Sequence, residues 1–126
     1  MAEKQNILYD KSLNFAERII RLYEFLIKDK NNFVIPKQIL ASGTSIGAQL
    51  AESKGAQSEA DFITKLHISL KEAHETEYWL ILLKRTNYIN QLEYESLLTD
   101  LKALIALLIS TLKTIKIRNN TNKSRN

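Results

Sequence analysis

The chain has no cysteine, one proline and only three glycines among its 126 residues. Without thiols there are no disulfides, no thiolate metal sites and no cysteine nucleophile, and nothing points to an oxidising compartment. With so few turn formers, the chain must be built from a small number of long elements. Long hydrophobic runs are missing as well. The longest wholly apolar stretch, Ala103 to Ile109, falls far short of the roughly 20 residues that span a bilayer, and residues 1–12 (MAEKQNILYDKS) contain no apolar signal segment. A cytoplasmic protein without membrane contact is therefore expected, and the Asn-x-Ser/Thr matches at Asn119 and Asn122 have no route to glycosylation.

What is present is ordinary in amount and uneven in placement. The length suits a single domain that buries roughly two thirds of the surface of its unfolded chain. Residues 1–100 hold 12 Lys and Arg against 14 Asp and Glu, whereas beyond Asp100 there are six basic residues and no acidic one. The whole net charge of +4 thus resides at the C-terminal end. Lys113, Lys116, Arg118, Lys123 and Arg125 can complement the dipole at the end of a last helix, and the same charges can steer toward nucleic acid.

Hydrophobic periodicity predicts four helices. Helix one is expected from about Tyr9 to Asp29, with Phe15, Ile19, Leu22 and Leu26 in one row and Ala16, Ile20, Tyr23 and Ile27 in a second, which together suggest a wide buried face. Pro36 suits the first turn of helix two, where its missing N–H is no loss. That helix carries Ile39, Ile46 and Leu50 and ends near Gly55. Ser58 followed by Asp61 reads as the N-terminal cap of helix three, which runs through Phe62, Leu66, Leu70, Ala73, Leu80 and Leu83 to about Asn87. Helix four spans about Gln91 to Ile117 along Leu97, Leu101, Leu104, Leu108, Leu112 and Ile115. The fold class is thus all-α, an antiparallel up-down four-helix bundle over residues 1–117. Residues 118–126, without an apolar side chain, are expected to form a basic disordered tail.

Two segments carry apolar side chains at every angle around their helix, ALIALLI at 103–109 and YWLILL at 78–83. Packing within one bundle covers only part of a helix circumference, so the remainder calls for another surface. A homo-oligomer is the economical expectation.

The search for chemistry finds little. Gly43 and Gly47 lie four apart in ASGTSIGA and match neither G-x-x-x-x-G-K-[ST] nor G-x-G-x-x-G. On one helical face they let a neighbouring helix approach closely, despite a propensity cost of about 1 kcal/mol each. Di-metal bundles need Glu-x-x-His, but His67 and His74 follow Thr64 and Lys71 at that spacing. Ser45 shares a row with Gln49 and Glu52, and helix three carries a parallel row of Ser69, Glu72 and Thr76. Rows of this kind beside apolar faces are expected to be buried polar groups that fix helix register by hydrogen bonding, with a polar lining for a ligand as the other reading. No catalytic, cofactor or metal site is expected.

The residues also resemble a family, the proteins encoded within bacterial 23S rRNA intervening sequences. The resemblance rests on Lys11-Ser12 with Phe15-Ala16, on Gln38-Ile39-Leu40 leading into Ser42-Gly43-Thr44-Ser45-Ile46-Gly47-Ala48, on Ala51-Glu52 and Asp61-Phe62, and on Lys71-Glu72-Ala73 through Glu75-Thr76-Glu77-Tyr78-Trp79-Leu80. It implies a four-helix bundle that assembles as a barrel-like homopentamer, with no known activity or cofactor. Relatives include the accessory variability determinant of diversity-generating retroelements, a more basic protein suited to nucleic acid and a reverse transcriptase. This chain departs from the family pattern with Ala41 in place of Arg and Gln49 in place of Asn. The expected function is a non-enzymatic oligomeric scaffold associated with RNA through Lys113, Lys116, Arg118, Lys123 and Arg125. The alternative is an adaptor whose outer helix faces bind another protein.

Overall fold

Apolar rows at helical spacing wind most of the chain into four helices: α1 (Ala2–Lys30), α2 (Val34–Ser53), α3 (Glu59–Arg85) and α4 (Gln91–Arg125). This computed structural model describes residues 2–125, with side chains from Glu3 to Ser124, and among them there is no strand. Each helix packs on two others in the cyclic order α1, α2, α3, α4 and back to α1. The side-chain pairs give the sense of each seam. Arg18 of α1 meets Asp100 of α4 and Lys4 meets Ser110. Thr76 of α3 meets Ser42 of α2, and Lys65 meets Glu52.

Local chemistry sets the helix ends. Ser58 caps α3 by accepting from the Asp61 N–H at 3.1 Å, and the Asp61 carboxylate in turn accepts from the Gln57 N–H. Asn90 caps α4 in the same way, accepting from the Glu93 N–H at 2.8 Å. The end of α3 is closed by Asn87 in the left-handed region, with Tyr88 N–H reaching back to the Leu83 carbonyl and Asn87 N–H to that of Lys84. Asn31 takes the same conformation after α1. Asparagine here does what glycine does elsewhere, and α2 ends at Ser53 with Gly55 in the turn just beyond it, its φ not positive.

The core is drawn from all four helices: Phe15, Ile19 and Leu26; Ile39 and Ile46; Leu66, Leu80 and Leu83; Leu101, Leu104 and Leu108. The first row of α1 is buried as its periodicity predicts. The second is not, for Ile20 is exposed and Ala16, Tyr23 and Ile27 lie half-buried at the rim. One bundle supplies neighbours for only one side of α1.

Two ends differ from the sequence reading. Helix α1 begins seven residues before Tyr9, because Leu8 joins the core and Lys4 reaches α4. Helix α4 continues to Arg125 instead of giving way to a disordered tail at Arg118. Residues 118–125 include no helix breaker, Arg118 pairs with Glu59 at 3.1 Å, and the Thr121 and Ser124 hydroxyls donate to the carbonyls four residues back. Met1 and Asn126, at the limits of the expected bundle and tail, lie outside the described residues. None of the helices described is long and apolar enough to cross a membrane.

Candidate functional site

The small-residue segment of α2 lies in the tightest part of the bundle. A Cβ added to Gly43 would stand 2.9 Å from Ile19 Cγ1, and one added to Gly47 would stand 2.8 Å from Ser12 Oγ. Both glycines are buried and face α1, so their missing side chains are what let the two helices meet. On its other flank α2 hydrogen-bonds to α3. Ser69 Oγ donates to the Ile46 carbonyl at 2.8 Å, and the hydroxyls of Thr76 and Ser42 lie 2.9 Å apart. Ser42, Ser69 and Thr76 are all fully buried. Each takes up a polar group that would otherwise be costly in the interior.

The remainder of the two polar rows leaves the interior. Ser45 is half-buried, and Glu52, expected among the buried polar groups, is exposed and pairs with Lys65 at 3.6 Å. The register brings this pair to the outer edge of the α2–α3 seam, where long charged side chains stay in water. Glu72 is half-buried; desolvation raises its carboxyl above the ordinary value, the neighbouring Glu75 charge adds to this, and Lys71 opposes it. Gln49 Oε1 and Trp79 Nε1 are buried without a protein hydrogen-bond partner, a feature that only the three-dimensional packing reveals. His67 and His74 are exposed on α3, and among the described residues no three His, Asp or Glu side chains gather into a metal-binding group.

The basic residues sit elsewhere. Lys113 and Lys116 border an open groove of about 690 Å³ between the first half of α3 and the second half of α4. Its apolar lining comes from Ile63, Ile109, Leu112 and Ile115, with His67 at the edge. Past Glu59, where α3 begins, α4 continues alone and carries an exposed Lys123. Arg125 belongs to this overrun, though its side chain lies outside the described residues. The groove went unforeseen because a half-buried apolar row in sequence does not distinguish a filled seam from an open one. Of the apolar runs around α3 and α4, Tyr78, Ala103, Ala106 and Ile109 are exposed in the single chain, and Ile109 alone of these lines the groove.

A family model described as 23S rRNA-intervening sequence protein matches residues 4–110. The chain belongs to that family. A crystal structure of a protein of unknown function from the S23 ribosomal protein family of Bacteroides thetaiotaomicron is 57% identical, with a TM-score of 0.86 over 87% of this chain and 98% of its own. No curated protein matches. The intervening-sequence match contains the whole hydrogen-bonded seam between α2 and α3. It stops at Ser110, before the groove-bordering lysines and the overrun of α4.

Proposed function

We propose that this chain is a non-enzymatic, cytoplasmic subunit, an antiparallel up-down bundle that assembles with copies of itself and associates with RNA through the end of α4. Support for assembly comes from apolar surface that one chain leaves open: Tyr78 is 57% exposed and Ile109 48% exposed, on the two helices that border the groove. The family resemblance suggests a pentamer.

The observation that carries the RNA reading is the helical overrun. It carries an exposed Lys123, with Arg125 two residues on in sequence and no acidic residue nearby. Cations held at regular helical intervals contact phosphates with little loss of freedom, and repetition of the same end in an oligomer multiplies a weak contact through effective concentration. Deleting residues 119–126 leaves every core residue in place. With a stem-loop RNA as probe, the full chain is expected to bind with an affinity that falls steeply with salt, and the truncated chain to lose most of that binding. Equal retention by both across a salt series overturns the reading.

A second reading, an adaptor for another protein, is favoured by the same exposed apolar side chains. It predicts complexes that survive nuclease treatment and persist in the truncated chain.

A further inference from the structure

The exposed side of α1 has a pattern that neither the core nor the RNA reading uses. Glu3, Asp10, Glu17 and Glu24 recur every seven residues, and all four are exposed. Beside this row stand Leu13 and Ile20, 44% and 42% exposed. The result is an apolar ridge edged with carboxylates. At about 100° per residue, Ile20 lies some 200° around the helix from Arg18, which pairs with α4. The ridge therefore faces away from α4. Ser12 and Ile19, one residue before each ridge position, are the groups that meet Gly47 and Gly43 of α2.

The groove between α3 and α4 has the opposite character: an apolar trough edged with Lys113 and Lys116. Dimensions agree as well as charge. Leu13 to Ile20 and Ile109 to Lys116 are each seven residue steps apart, about 10 Å of helix. Since α1 packs only on α2 and α4, the ridge of a chain cannot enter its own groove.

We infer that the α3–α4 groove is the seat for the α1 ridge of a second copy, Leu13 and Ile20 entering between Ile63 and Ile109 while Glu17 meets Lys116. This rests on the self-assembly reading above and names its surfaces. Ridge and groove are different patches on opposite sides of the subunit, so the contact is head-to-tail and each copy offers a free ridge or groove to the next. Lys116 is then taken up by the neighbour, and Lys123 and Arg125 remain for RNA.

Two variants test this, Ile20→Asp on the ridge and Ile109→Asp in the groove. Both replace exposed side chains, and circular dichroism checks that the helices persist. By light scattering, the unmodified chain is expected to be an oligomer and each variant alone a 14.5 kDa monomer. Mixed together, they retain one intact ridge and one intact groove between them and are expected to give a species of twice that mass and no larger. The pair Glu17→Lys and Lys116→Glu should each weaken assembly singly and restore it when combined. If the unmodified chain is monomeric, self-assembly itself fails. If it is oligomeric and both aspartate variants keep its mass, or if the mixture stays monomeric, the ridge-and-groove assignment is overturned and assembly uses other faces.

Discussion

Helix α3 has two seams, and they are finished in different ways. Against α2 it is joined by buried hydroxyls, Ser69 to the Ile46 carbonyl and Thr76 to Ser42, in a contact continued toward α1 by the absence of side chains at Gly43 and Gly47. Against α4 its second half packs closely, with Lys102 of α4 bonded to Glu77, but its first half opens into the groove between Ile63 and Ile109. The closed seam uses small residues and short polar links, whose cost is repaid only by a single register. The open one uses large apolar side chains that gain by any sufficiently matched partner. The intervening-sequence family match covers the first seam entirely and ends within the second. Within one helix, then, the closed seam and the open groove occupy different faces, with Lys65 and Ser69 turned to α2 and Ile63 and His67 lining the groove.

The strongest way to break this comparison is to shave one large side chain of α3 from the closed core and one of α4 from the open groove. Leu80 is fully buried, and Leu80→Ala is expected to cost roughly 2–5 kcal/mol in urea unfolding. Ile109→Ala, on the open seam, should cost well under about 1 kcal/mol in the isolated chain. If the two cost the same, the groove is not open in solution. A smaller effect sharpens the closed side. Gly43→Ala gains about 1 kcal/mol of helix propensity but forces a methyl against Ile19, for which overpacking costs run to roughly 1–3 kcal/mol. A net loss on the order of 1 kcal/mol is expected, and a net gain would show that α1 and α2 can move apart freely.

The smallest effect concerns Glu72, at the edge between interior and solvent. Its folded-state pKa is raised, chiefly by desolvation. Its protonated form is therefore the better accommodated one, so its stability contribution is present below the unfolded-state value and is lost as pH rises through the folded-state value. Glu72→Gln should raise the melting temperature slightly near neutral pH, with the difference disappearing as the pH falls into the carboxylate range. A variant that melts lower at neutral pH would mean that the carboxylate makes a favourable contact in its charged form.

The four helices and most core positions were legible because rows such as Phe15, Ile19, Leu22 and Leu26 repeat at a period that only a helix satisfies. The Ser58 cap was legible from spacing alone, and the asparagine devices at Asn87 and Asn90 were readable only as approximate boundaries. The i, i+4 spacing of the glycine pair suits a helix face and no phosphate loop, and in the fold both glycines face Ile19 and Ser12 of α1. The polar rows separated less cleanly. Ser69 and Thr76 are buried but Glu52 is exposed, because a helix row drifts around the axis and its last member can cross from the seam to the surface. Residues 118–125 read as a tail from the lack of apolar side chains, a criterion that detects burial and says nothing about a helix that simply continues past its neighbours.

The acidic row along α1 has a geometric consequence of its own. Its members are seven residues apart on a helix that turns once every 3.6, so the row slips backward by about 20° per repeat and winds around the helix as a shallow left-handed thread. A neighbouring element that follows the thread must lean rather than lie parallel. Each added subunit would inherit that inclination, so an assembly built along it would have staves canted in one sense, with a handedness written into the spacing of Glu3, Asp10, Glu17 and Glu24.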